Sequence, residues 1–205
     1  MNIKWLFFDV GSTLIDETEC YNQRIIDAIA GTDITFEQFN EKRIEFTKLN
    51  LKGDIEAIKF FGLTKTPWHK ESEKPYPDAD NLLRQLSDRG YRIGIIANQS
   101  EGTEKRLDNW GLLKYISFVL SSAEEGVAKP DPEIFLRALS RAGCKPSEAI
   151  MVGDRLDNDI YPAKKLGIKT IWVKQGIAAY QNPTDGTYLA DYAVNSLSEI
   201  LDIIK

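Results

Sequence analysis

Five short apolar runs, rich in β-branched and aromatic residues and bounded by turn signals, limit what this chain can fold into. They are IKWLFFDV (3–10), YRIGIIAN (91–98), SFVLSS (117–122), AIMVGD (149–154) and KTIWVK (169–174). Runs that stay apolar, instead of alternating with polar residues, read as strands covered on both faces, as in parallel sheets. Amphipathic helix patterns lie between them. DADNLLRQLSDRG gathers Leu82, Leu83 and Leu86 on one face and closes at Gly90, and EGTEKRLDNWGL sets Leu107 near Trp110. PDPEIFLRALSRAG opens with proline at a helix N-terminus and presents Ile134, Phe135, Ala138 and Leu139 together. DIYPAKKLGI follows the fourth strand, and SLSEILDIIK closes the chain. Strands alternating with helices across short loops predict an α/β fold with a Rossmann-like parallel sheet in a three-layer α/β/α core.

One block interrupts the alternation. From about residue 17 to 74 no strand pattern occurs, and NQRIIDAIAG, TFEQFNEKRIEFTKLN and DIEAIKFFGL read as helices joined by short loops. Thr35 with Gln38 three residues on has the form of a capping box. The block ends at EKPYPD, whose prolines Pro75 and Pro77 suit an extended linker. The expected organisation is a core made of residues 1–16 and 75–205, with a small helical cap, 17–74, inserted after the first strand and placed to act as a lid.

Charge and composition exclude several classes. A formal net charge of −5 with Lys and Arg scattered argues against a nucleic-acid or anionic-membrane partner. No apolar run approaches the ~20 residues of a membrane span. The apolar N-terminus is too brief for a signal peptide, so a cytoplasmic protein is expected. Cys20 and Cys144 stand far apart with no metal-ligand spacing, as in a reduced compartment. The single histidine, His69, lies in a polar Pro-Trp-His-Lys loop, which gives a Ser-His or Cys-His hydrolase little support.

In an open parallel sheet, ligands bind beyond the carboxyl ends of the strands. Strand one ends at Asp9, and strand two at Asn98-Gln99-Ser100. Strand three leads to EEGVAKPDPEIF with Lys129, and strand four ends in GDRLDND with Asp154, Asp157 and Asp159. Taken singly, an aspartate after a strand is a turn residue or helix cap, and Lys-Pro-Asp-Pro is a helix entry. In this order, each at a strand end, they point to one crevice. Several carboxylates gathered there need a cation, and oxygen ligands favour Mg²⁺. Lys129 would offset Asp9 and bind an anionic substrate. Together these suggest phosphoryl transfer, with Asp9 as nucleophile and the small turn residues Gly11, Ser12 and Thr13 offering backbone N–H groups to the phosphate.

These residues resemble the haloacid dehalogenase superfamily, whose members are mostly Mg²⁺-dependent phosphatases, and the resemblance covers nearly the whole chain. FFDVGSTL resembles the first family motif, hhhDxDxT; IIANQ the second; GVAKPDPEIF the third. MVGDRLDNDIYPAKKLGIKTIWV is very similar to the fourth and is the most specific. The 17–74 insert sits where that family's small helical cap enters. The resemblance implies that Asp9 forms an aspartyl-phosphate and that Asp154 joins Asp9 and the Gly11 carbonyl around Mg²⁺. It implies that Asp159 holds the metal's waters, and that Lys129, with Gly11, Ser12 and Asn98, binds the phosphate. The partner would be a small phosphorylated substrate, with the chain a monomer or a homodimer.

Two positions depart from the pattern. Gly11 stands where family phosphatases usually carry a second aspartate, the general acid and base. Ala97 stands where motif two carries a hydroxyl. Loss of a general acid typically costs ~10²–10⁴-fold in rate. A slow or specialised phosphatase, or a site suited to a good leaving group such as an acyl phosphate, is therefore expected. A catalytically impaired protein that binds a phosphate ligand or a partner is the alternative, and replacing Gly11 by aspartate would separate the two. A dehalogenase also lacks the second aspartate, but the full acidic fourth motif argues against one. A phosphonatase would need a cap lysine among Lys42, Lys48, Lys52 and Lys59. Tyr180 and Tyr188, in the 176–190 segment, would line a pocket or pack.

Overall fold

The structure is a computed structural model and describes residues 2–183, 186 and 188–204. Its main sheet has six parallel strands in the order β5-β4-β1-β6-β7-β8: β1 (Trp5–Phe8), β4 (Arg92–Ala97), β5 (Ile116–Ser121), β6 (Ala149–Gly153), β7 (Lys169–Val173) and β8 (Tyr192–Val194). The first five of these in chain order are the five apolar runs. β8 is an edge strand in a polar stretch and carries no comparable signal. The numbers β2 (Ile15–Asp16) and β3 (Lys74–Pro75) belong to a separate two-stranded antiparallel ribbon.

Alternation along β1 explains the layers. Leu6 and Phe8 face a core built with α4 (Ala79–Asp88), α5 (Thr103–Asn109) and α9 (Ile200–Ile203), through Leu82, Leu83, Leu86, Leu107 and Ile200. Trp5 and Phe7 face the other layer, where α7 (Pro132–Ala142) and α8 (Tyr161–Lys165) bring Ile134, Phe135, Ala138 and Ala163. The short α6 (Ser122–Glu125) follows β5 directly. Leu82, Leu83, Leu86 and Ile134 of the α4 and α7 stripes are nearly inaccessible, each burial stabilising by about 1.5–3 kcal/mol. The closing helix is shorter than SLSEILDIIK suggested, a single turn at 200–203.

Between β2 and β3 the chain makes α1 (Thr18–Ile29), α2 (Phe36–Lys48) and α3 (Gly53–Phe60). These helices enclose a small apolar cluster of their own around Ile25, Phe39, Ala57 and Ile58. The capping box forms: Thr35 Oγ1 accepts from the Gln38 N–H at 3.2 Å, and Gln38 Oε1 accepts from the Thr35 N–H at 2.9 Å. Gly53 lets α2 and α3 approach closely, since a Cβ there would lie 2.4 Å from the Arg43 carbonyl oxygen.

Candidate active site

The sheet order brings the polar strand ends together. After β1 the chain moves outward through β4 and β5, then returns to β6 on the other side of β1 and leaves through β7 and β8. The crevice beside β1 is therefore the switch point of the topology, where open α/β sheets bind ligands. Phe8 pairs with Ile95 on one side and Val152 on the other, and the Asp9 N–H donates to the Val152 carbonyl at 2.9 Å. The chain then turns sharply around the Val10 carbonyl, which accepts from the N–H groups of Leu14 and Ile15 at 2.9 Å each. Ser12, in that turn, has a left-handed φ of 55°. Asp9, Gly11, Ser12, Asn98, Lys129, Asp154 and Asp159 line one cleft of about 520 Å³, whereas Thr13 and Asp157, also expected at the crevice, are not in its lining.

The charges in the cleft are tightly held. Lys129 Nζ donates to Asp9 Oδ1 at 2.5 Å and to Asp159 Oδ1 at 2.6 Å, and its side chain is 2% exposed. Burial works against its charge, but Asp159 and Asp9 outweigh that and strengthen its hold on the proton. The Asp9, Asp154 and Asp159 carboxylates offer oxygens within 4.8 Å of one another. Burial, then Asp9 and Asp159, push the Asp154 carboxyl well above the usual range. Burial raises Asp159 to about 6 in spite of Lys129. One ammonium thus faces three buried carboxylates, an arrangement short of positive charge.

Supporting contacts fix each group. Thr13 Oγ1 donates to Asp9 Oδ2 at 3.3 Å. The Asn98 side chain makes a reciprocal pair with the Lys129 main chain: Nδ2 donates to the carbonyl at 2.7 Å, and Oδ1 accepts from the N–H at 2.8 Å. Its amide therefore orients the lysine. Residues 156–160 form a π-helical turn, and within this loop the Arg155 N–H donates to Asp159 Oδ2 at 3.0 Å. Gly153 makes room for that carboxylate, since a Cβ there would lie 2.4 Å from Asp159 Cγ. The Asp154 carbonyl accepts from the Trp172 indole at 2.6 Å. Asp157 is engaged elsewhere, with the Arg155 guanidinium and the Gln181 amide.

Several cleft residues were not singled out from the sequence. The segment between β2 and β3 contributes Glu17, Tyr21, Arg24, Lys65, Trp68, Lys70 and Glu73. Arg24 lies over the Trp68 ring at 4.5 Å, Tyr21 meets that ring edge-on at 4.9 Å, and the Trp68 indole donates to Glu73 at 2.7 Å. Glu17 is buried, and its carboxyl is raised to about 8 by burial, Asp9 and Glu73, against hydrogen bonds from Ser12 and Gln99. Lys42, Lys48, Lys52 and Lys59 do not line this cleft; Lys42 and Lys59 pair with Glu45 and Glu56 on their own helices. Tyr188 stacks on Tyr161 at 4.8 Å, whereas Tyr180 lines a smaller neighbouring cavity. Thr184, Asp185 and Thr187, in the same segment, lie outside the described residues.

The profile of the haloacid dehalogenase-like hydrolases matches residues 6–173. The chain belongs to that family. Among family relatives, a glyceraldehyde 3-phosphate phosphatase of Methanocaldococcus jannaschii is 31% identical over 99% of this chain and 97% of its own length. Another enzyme of that name, from Pyrococcus furiosus, is 32% identical over 99% and 93%. The crystal structure of a phosphatase of the family from Thermococcus onnurineus superposes with a TM-score of 0.67 at 26% identity, covering 98% of each chain. As a haloacid dehalogenase-like protein, this chain is a hydrolase, and its six-stranded parallel sheet flanked by helices belongs to the α/β fold it shares with its structural neighbours. Among the described residues no helix is long and apolar enough to cross a membrane.

Proposed function

We propose that this hydrolase is a divalent-cation-dependent phosphatase of small phosphorylated metabolites, working through an aspartyl-phosphate on Asp9. The observation that carries the reading is the buried group of Asp9, Asp154 and Asp159 with Lys129 bridging two of them. The donor set fits a hard cation: it is all oxygen, buried and short of positive charge. Asp9, Asp154 and the Gly11 carbonyl would hold Mg²⁺, with Asp159 on its waters. When bound, the ion would supply positive charge between the carboxylates and the phosphate.

The chain's own groups would do the rest. Lys129 shields Asp9 from its neighbours and meets an equatorial phosphate oxygen. Backbone N–H groups of the Gly11–Thr13 turn meet the others, and Asn98 keeps Lys129 in place. Asp9 attacks phosphorus, and the alcohol leaves on the opposite side; water then attacks the aspartyl-phosphate and frees Asp9. Residues 17–74 act as a cap over this chemistry. Arg24, Lys65 and Lys70 place positive charge on the cap side of the cleft, which suits a compact anionic substrate such as a phosphorylated three-carbon compound.

Phosphate release from p-nitrophenyl phosphate, acetyl phosphate and a panel of sugar and triose phosphates tests the reading, with Asp9→Asn as the control. Turnover that needs both the cation and Asp9 is expected. Turnover no greater than that of Asp9→Asn, with the cation bound, would overturn it.

A further inference from the structure

The mechanism leaves one step without a group to perform it: Gly11 carries no side chain to protonate the leaving oxygen. It also leaves one buried group without a task, Glu17. Glu17 comes just after β2 and is the first residue before α1, yet its side chain does not cap that helix. Among the described residues no Lys, Arg or His forms an ion pair with it, and its electrostatic neighbours include Asp9 and Glu73, both acidic. A buried carboxyl in such company is costly to keep.

Its position gives it a use. A Cβ built on Gly11 would lie 2.5 Å from Glu17 Oε1 and 2.7 Å from Oε2. The Glu17 Cδ lies 2.8 Å from the same point, farther than its oxygens, so the carboxyl turns its oxygens toward the face of Gly11 from which a side chain would start. It opens on the same cleft as Asp9. Ser12 Oγ donates to Oε2 at 3.2 Å and steadies it there.

We propose that Glu17 is the proton donor and acceptor of the reaction, reaching from just before α1 to the open face of Gly11 beside Asp9. As the Asp9–phosphorus bond forms and the bond to the leaving oxygen breaks, the Glu17 carboxyl gives its proton to that oxygen. In the second half, water bonds to phosphorus, the Asp9–phosphorus bond breaks, and the water proton passes to the Glu17 carboxylate, restoring the starting state. The same geometry reverses the expectation for Gly11→Asp. On its own the new side chain collides with Glu17 and gives no gain.

This inference rests on the phosphatase reading, and one experiment keeps the two apart. The near-isosteric Glu17→Gln would be assayed on a phosphorylated alcohol, whose leaving group needs a proton, and on p-nitrophenyl phosphate, whose leaving group needs it least. The expected result is a loss of about 10²–10⁴-fold on the alkyl ester. On the aryl ester the expected result is a rapid burst of about one p-nitrophenol per site, followed by slow turnover, because the aspartyl-phosphate forms and then waits for a base. The double variant Gly11→Asp/Glu17→Ala, which carries the carboxyl from position 11, is expected to recover alkyl ester turnover. Equal losses on both esters without a burst, or no loss, or no recovery in the double variant, would overturn the role of Glu17 while wild-type turnover leaves the phosphatase standing. Wild-type protein without Asp9-dependent turnover would overturn both.

Discussion

Glycine 153 shows how one missing side chain holds the carboxylate group together. Its Cα faces Asp159 so closely that an alanine Cβ would stand 2.4 Å from Asp159 Oδ2, the oxygen bonded to the Arg155 N–H. Gly153→Ala is expected to turn Asp159 away from Lys129 and weaken divalent-cation affinity by about 10–100-fold, as losses of supporting contacts do. Calorimetric cation titration of the folded variant would read this, and unchanged affinity would sink the argument. The same residues show what a sequence can and cannot disclose. That Asp9, Lys129, Asp154 and Asp159 would meet in one cleft was legible because each lies in a recognisable motif after a strand. Glu17 was not. In the run Ile-Asp-Glu-Thr-Glu it reads as an ordinary acidic residue at a helix start, where the helix dipole favours negative charge. Its relation to Gly11 exists only once the turn around the Val10 carbonyl has folded the two together.

At the level of elements, the buried central strands were readable because each is an unbroken apolar run, and the longer amphipathic helices because their periodicity accumulates over several turns. The ribbon of β2 and β3 was not, since two residues per strand carry no period, and β8 is half-buried at the sheet edge. One junction between elements has a measurable pH response. His69 Nε2 lies 2.7 Å from Asp27 of α1, and Nδ1 lies 3.0 Å from Glu71. The two hydrogen-bonded carboxylates raise the imidazole above its ordinary 6.5. A raised value in the folded protein means that the protonated clamp stabilises the fold fully below about 6.5, and that this contribution fades as pH climbs through the folded value. As the chain has a single histidine, its ring protons can be followed by NMR without ambiguity. A midpoint above 6.5 that falls in Asp27→Asn is expected; a midpoint unchanged by that substitution would contradict the clamp.

Across the whole molecule, two of the places where the helical segment meets the core lie far apart in sequence. One is the ribbon, where Ile15 pairs with Pro75 and Asp16 with Lys74. The other is a latch. Asn50 Nδ2 donates to the Asn182 carbonyl at 2.7 Å, Asn50 Oδ1 accepts from the Asn182 N–H at 3.0 Å, and Asn182 Nδ2 donates to the Lys48 carbonyl at 3.0 Å. Asn50 has a φ of 59°, so Asn50→Gly removes its two bonds and keeps the backbone turn. The amide of residue 182 is then expected to exchange with solvent faster, on the order of tenfold for one to two ordinary hydrogen bonds, while amides of the central sheet are unaffected. Equal exchange in both proteins would mean that the latch holds nothing. The ribbon has a further consequence. Glu17 follows directly on β2, so the residue proposed to carry the proton is mounted beside the ribbon, whereas its customary counterpart would stand at position 11, two residues after Asp9. A catalyst built this way has its timing in its mechanics. A shift of the ribbon would take the acid out of step with Asp9, and a ligand too bulky for its close packing would be dephosphorylated slowly or left half-processed. Selectivity would then be enforced by arrested turnover, even where binding itself does not discriminate.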